Sequence, residues 1–218
     1  MFEPIDLYCE RLGPGLWAEP INAFTNVSFL VAAFASWRLA RKQSILFPGA
    51  WLLIGLMALI GVGSFVFHTF ANAWSQIADV VPILAFQIVF LCVYARQVIG
   101  MRWASVAGFA FLFLCAAYLG RQFPGLLNGS LIYAPAFALV FGLGIFHWRN
   151  AKRGRGLLLW ATLVFAASLF FRTIDLAVCS KVPIGTHFLW HLLNGLLVYL
   201  ATCSLIMGVP FEDRAGSN

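Results

Sequence analysis

Apolar residues run almost unbroken through seven stretches of this chain, and most of its charge falls outside them, in the short connecting segments and the two ends. The stretches fall near residues 22–39, 51–69, 79–97, 103–119, 131–148, 157–177 and 187–207. Each approaches the roughly twenty residues that a helix needs to cross about 30 Å of hydrocarbon. The breaks are of the kind that end helices: Pro48-Gly49 after Arg38, Arg41 and Lys42; Asn72 with Ser75-Gln76; Gly100 to Arg102; Pro124 within Arg121 to Gly129; the basic run His147 to Arg155; and Pro183 within Cys179 to Gly185. The pattern predicts an all-α membrane protein, a seven-transmembrane helix bundle that makes residues 1–218 one domain, with residues 1–21 as an outer segment.

Composition agrees. The chain is 62% hydrophobic and 10% charged, against roughly 45–50% and about 25% in soluble domains. No cleavable signal peptide is evident, because the first twenty residues are polar, acidic and rich in Pro and Gly. A net charge of +6 raises nucleic acid as a partner, but the basic residues sit in short loops and form no phosphate-binding stripe, so that class is excluded. They set topology instead. Arg38, Arg41, Lys42, Arg96, Arg102, Arg149, Lys152, Arg153, Arg155 and Arg214 fall on one side, and Arg11, Arg121 and Lys181 on the other. Ten against three places the C-terminus in the cytoplasm and the N-terminus outside. The acidic residues Glu3, Asp6, Glu10, Glu19, Asp79 and Asp175 map to the outer side, and Glu212 and Asp213 to the cytoplasmic tail.

The chemistry gathers on the outer side. His68 ends the second stretch, Asp79 opens the third, and His187 and His191 open the seventh. Ser64 and His68 share one helix face by their i,i+4 spacing, as do His187 and His191. A solitary membrane histidine is ordinarily a packed or hydrogen-bonding group. Three at one depth, two of them as His-x3-His, suit a metal with an open position, and imidazole favours zinc. Haem would leave the third histidine and Asp79 unexplained. Asp79 is the acid placed to move protons, and Ser64 the donor to a developing oxyanion; the plainer reading of Ser64 is a small packing residue in Gly61-Val62-Gly63-Ser64. His147, on the other side, reads as an interfacial residue. Arg172 and Asp175, three apart, read as a charge pair.

In the outer segment, Asp6, Glu10 and Glu19 flank the Gly13-Pro14-Gly15 turn. Oxygen ligands on such a loop suit calcium, and a solvated acidic cap near a helix start suits them equally. Cys9 and Cys179 both lie on the oxidising side, which makes a disulfide between them an expectation, whereas Cys92, Cys115 and Cys203 fall inside spans as packing residues.

These residues resemble the alkaline ceramidase family, within the wider group of seven-span hydrolases that includes the adiponectin and progestin receptors. The resemblance rests on Tyr8-Cys9-Glu10, Glu19-Pro20-x-Asn22-Ala23-x-Thr25-Asn26, Gly63-Ser64-x3-His68, Asp79, Asp175-x3-Cys179 and His187-x3-His191. The N-terminal elements point to the ceramidase branch and also resemble the lipid-remodelling enzymes of glycolipid anchors. The resemblance implies zinc on His68, His187 and His191, with Ser64 and Asp79 completing the catalytic set, and a calcium site near the N-terminus. Glu10 and Glu19 match its acidic ligands, Tyr8 offers a carbonyl, and Asp6 can serve by a one-residue shift. Leu7 and Leu12 depart from the pattern, standing where an aspartate and a side-chain oxygen are expected. The expected activity is zinc-dependent hydrolysis of ceramide or a related lipid amide to fatty acid and sphingoid base, in a multi-pass membrane protein whose site faces the periplasm or lumen. A lipid esterase or phospholipase needs the same groups, and a seven-helix receptor can keep the same metal; the lack of a soluble cytoplasmic domain argues against the receptor. The bilayer and its lipid are the partners implied, and no obligate protein partner is evident.

Overall fold

A computed structural model describes residues 4–44 and 47–209; Glu3, Glu212, Asp213 and Arg214 lie outside them. Seven helices are long and apolar enough to cross a membrane: α1 (Pro20–Lys42), α2 (Pro48–Phe70), α3 (Ala73–Ile99), α4 (Trp103–Arg121), α5 (Leu126–Arg149), α6 (Leu157–Val178) and α7 (His187–Gly208). Among the described residues there are no strands beyond an isolated bridge between Pro4 and Asn72. Successive helices pack side by side, and α7 closes the ring against α1 and α6. Helix α7 is the most enclosed of the seven, whereas α4 turns Phe109, Phe111, Leu112, Tyr118 and Leu119 outward. Large apolar side chains on an outer surface are what a lipid-facing bundle requires.

The ends of the bundle differ. One carries the N-terminal segment, the α2–α3 and α4–α5 turns and the segment before α7; the other carries the α1–α2, α3–α4 and α5–α6 connections with the basic residues. The turn from α2 to α3 is tight. Ala71 adopts a left-handed conformation, and Asn72 starts α3 with a reciprocal cap, its Oδ1 accepting from Ser75 N (3.2 Å) and its own N donating to Ser75 Oγ (3.1 Å). This cap starts α3 six residues earlier than hydrophobicity alone suggested, because the first turns carry Ser75 and Gln76. Asp79 therefore lies nearly two turns inside α3 and does not open it.

Two close approaches set the register around that turn. Pro82 has no N–H, so the carbonyl of Ala78 loses its helical donor. Gly63 packs against that same peptide: a Cβ at Gly63 would stand 2.1 Å from Ala78 O. The absence of a side chain at 63 is what lets Ser64 face Asp79 across the α2–α3 contact. At α1–α7, a Cβ on Gly195 would stand 2.7 Å from Ser28 Cβ, and Ser28 Oγ donates to His191 O at 2.9 Å.

At the basic end, His147 is fully buried in the last turn of α5. It bridges the Tyr94 hydroxyl (2.5 Å) and the Arg153 carbonyl (2.9 Å), so the connection after α5 covers it.

Replacing Gly63 with Ala drives a methyl into backbone that cannot rotate away, and overpacking of this kind costs typically 1–3 kcal/mol. The expected result is a lower thermal midpoint in detergent for Gly63→Ala, with no matching effect for Gly55→Ala, where a Cβ meets nothing within 4 Å. Equal midpoints would show that α2 and α3 are not in this register.

Candidate metal centre

Helix α2 delivers His68 from its last turn, and α7 delivers His187 and His191 from its first two. All three are buried, and one ligand atom from each lies within 4.8 Å of the others. Among the described residues this is the one group of three or more His, Cys, Asp or Glu side chains so arranged.

Two of the rings are oriented from α1. Glu19 Oε2 meets His68 Nδ1 at 2.6 Å, and Thr25 Oγ1 meets His191 Nδ1 at 3.0 Å. Each contact engages Nδ1 and leaves Nε2 for the centre, the way carboxylates and hydroxyls orient metal-binding imidazoles. Burial pushes the Glu19 carboxyl up, but His68 and Arg11 outweigh it and hold it below the usual glutamate value, so it stays an anion. His187 Nδ1 is buried with no hydrogen-bond partner, and the ring stacks on Tyr8 at 3.6 Å between centroids. Burial holds the Tyr8 hydroxyl well above its usual range.

The start of α7 is anchored separately. Asp175 Oδ1 accepts from Thr186 N (2.6 Å) and His187 N (2.9 Å), satisfying the first donors of the helix, while Oδ2 accepts from Cys9 N (3.1 Å). Asp175 thus does not pair with Arg172, contrary to the charge-pair expectation. Free helix N–H groups hold its carboxylate more directly than a guanidinium one turn away. Arg172 instead donates to Asn128 O (2.7 Å) and Ser130 Oγ (2.9 Å), with its guanidinium over the Tyr133 and Trp190 rings. The structure joins Cys9 to Cys179, their Cα atoms 5.2 Å apart, which ties the N-terminal segment to the end of α6.

Ser64 is buried one turn below His68, and its hydroxyl interacts with the Asp79 carboxylate. One oxygen of that carboxylate, Asp79 Oδ1, is buried with no hydrogen-bond partner. An orphaned carboxylate oxygen and an orphaned imidazole nitrogen beside clustered histidines mark a polar group that the protein atoms do not supply. The donor set therefore fits a metal with an open position, and zinc suits three neutral imidazoles. Deeper in the bundle, Ile60, Ile83, Phe86, Phe90, Phe165 and Leu197 line an apolar cavity beginning a turn below Ser64 and Asp79, with Trp190 and Asn194 at its α7 wall.

The residues expected to take calcium do not fit that ion as placed. Asp6 is exposed, and Tyr8 O accepts from Arg11 N at 3.2 Å. Glu10 gives both oxygens to the first donors of α1, Ile21 N (2.6 Å) and Asn22 N (2.8 Å). Burial pushes its carboxyl up against the pull of those two N–H groups. Glu19 is divided between His68 and Arg11. The Tyr8 carbonyl, both Glu10 oxygens and both Glu19 oxygens are thus engaged by nitrogen groups of the protein itself.

A family model described as Ceramidase matches residues 13–215, nearly the whole chain and every helix of the bundle. The chain belongs to the Ceramidase family. No curated protein sequence matches it. Membership implies hydrolysis of the ceramide amide and a lipid substrate met in the membrane. Sequence reasoning had placed Glu19 in a calcium site and had given no role to Thr25, Asp175 or Arg11 at the centre. The spacing of Glu19, Asn22 and Thr25 on one face of α1 was the available signal.

Glu19→Gln keeps the size of the side chain but removes the anion behind His68. Metal affinity should fall about 10–100-fold, the usual cost of losing such a partner. Zinc competition with a chromophoric chelator measures it, and unchanged affinity would show that His68 does not take part in metal binding.

Proposed function

We propose that the chain is a zinc-dependent intramembrane amidohydrolase that cleaves ceramide or a related lipid amide to a fatty acid and a sphingoid base. The observation that carries this reading is the cluster of three buried histidine ligand atoms near the unpartnered Asp79 oxygen, about a helical turn from the residues that line an apolar cavity, in a chain of the Ceramidase family.

His68, His187 and His191 would hold the zinc, which supplies Lewis acidity and makes water nucleophilic near neutral pH. Asp79 takes the proton from the attacking water at its free oxygen and returns it to the amide nitrogen as the C–N bond breaks. Ser64, on the same face as His68, donates to the carbonyl oxygen as charge develops there. The aliphatic walls of α2, α3 and α7 take an acyl chain, so the scissile amide stops at the polar rim. The products are a carboxylate and an amine. An ester would pass through the same groups, so the choice between amide and ester is left to the measurement.

Most of the Lys and Arg residues in the connections sit at the end opposite the histidines, which supports an outward-facing site in the periplasm or lumen. The amide of a ceramide lies at the boundary between headgroup and acyl chains, the depth of a centre one to two turns below the helix ends.

Purified protein given a panel of ceramides and phospholipids should release sphingoid base, and a zinc chelator should stop it. His68→Ala, His187→Ala and His191→Ala should each lose both zinc and turnover. Asp79→Asn should keep the zinc but lose about 10²–10⁴-fold in rate. Product formation from phospholipids alone would replace the amidase by an esterase, and full rate in the histidine variants would remove the centre altogether.

Sidedness has its own test. Right-side-out vesicles should cleave a lipid amide that cannot flip across the bilayer, and inside-out vesicles should not. The reverse result would overturn the orientation while leaving the chemistry intact.

A further inference from the structure

The N-terminal segment contains one cation that the proposed chemistry does not use. Arg11 is only 5% exposed, and each of its guanidinium nitrogens meets oxygen. Nε donates to Glu19 Oε1 at 2.5 Å, Nη1 to the carbonyls of Gly13 (3.2 Å) and Gly15 (3.4 Å), and Nη2 to the carbonyl of His68 (3.3 Å). These oxygens come from three separate pieces of chain: the Gly13–Gly15 turn, the start of α1 and the last turn of α2. The His68 carbonyl lies where α2 has run out of helical donors.

One carboxylate and three carbonyls converging on a single positive charge form the kind of oxygen set that a hard divalent cation takes from a flexible loop. Here a guanidinium fills it. The charge is permanent, since arginine does not deprotonate in proteins, and its planar fork reaches several acceptors at once. It is also covalently attached, so it does not dissociate when ion levels fall.

We propose that Arg11 is a built-in cation that stands in place of a calcium ion, pinning the N-terminal segment over the histidine centre without any divalent metal. It is a positioning residue. By holding one oxygen of Glu19 it presents the other to His68, and by holding His68 O it fixes the end of α2. Removing the guanidinium should leave an oxygen-lined space that calcium can enter.

The experiment reads calcium binding and thermal unfolding of the full-length protein in detergent, with zinc supplied throughout, so it does not depend on which lipid is cleaved. The unaltered protein should bind no radiolabelled calcium, and its unfolding midpoint should stay fixed as calcium rises to millimolar levels. Arg11→Asn should unfold roughly 5–10 °C lower, the scale expected when one partner of a buried ion pair is lost. Millimolar calcium should recover part of that loss, a gain that a merely structural arginine would not confer. Arg11→Lys, which keeps the charge and loses the fork, should unfold between the two and remain indifferent to calcium. Stoichiometric calcium binding by the unaltered protein would overturn the proposal whether or not either variant folds. So would an Arg11→Asn protein whose midpoint ignores calcium.

Discussion

Three imidazoles cannot be packed together inside a helical bundle unless other groups hold their polar atoms, because a buried nitrogen without a partner costs about as much as a lost hydrogen bond. Much of the histidine end of this protein follows from that constraint. His68 is held by Glu19 and His191 by Thr25, and both supports come from the start of α1, Glu19 being the residue that precedes it. His187 is left with an unpartnered Nδ1 beneath the Tyr8 ring. The supports need supports in turn. Glu19 is shared with Arg11, Thr25 donates into the α1 backbone, and Asp175 fixes the peptide of His187 itself. A site built of two helices is thus positioned by a third and by an extended segment.

This explains why the N-terminal segment is folded although it has little apolar surface to bury. Its order comes from polar and covalent ties at separated points. Cys9 is bonded to Cys179 and donates its N–H to Asp175; Glu10 caps α1; Arg11 reaches α2. Each tie also touches an element that carries a histidine or its support. Cutting any of them would loosen the segment and the centre together, so the stability of the cap and the geometry of the site are coupled.

The helices were legible because hydrophobic length is a strong, local signal, and the histidines because two lie one turn apart on a single face. Their ends were less legible. Asn72 and Ser75 are polar yet start a helix, Asn72 as its cap and Ser75 in its first turn, since their side chains replace the missing backbone partners, and this moved Asp79 from the end of α3 into its second turn. Charge partners were the least legible. Arg172 and Asp175 are three residues apart on α6, yet each finds better partners on another segment: the start of α5 for Arg172, and Cys9 with the start of α7 for Asp175. Such choices depend on which unsatisfied N–H or C=O comes within reach after folding, and spacing along one helix carries no record of that.

The relation of Gly63 to Pro82 shows how the pairing of Ser64 with Asp79 depends on backbone chemistry in two helices at once. Proline frees a carbonyl in α3, and the missing side chain at Gly63 lets α2 come against that carbonyl. A larger residue at 63 or an N–H at 82 would each alter the contact. Ser64 and Asp79 are the next residues along their respective chains, so their approach follows from this contact and needs no direct attraction between them. One carboxylate oxygen consequently stays without a protein partner in a buried place. Left idle, that oxygen would be a standing cost to the fold. In the hydrolase proposed above, it is the atom that would accept a proton from water.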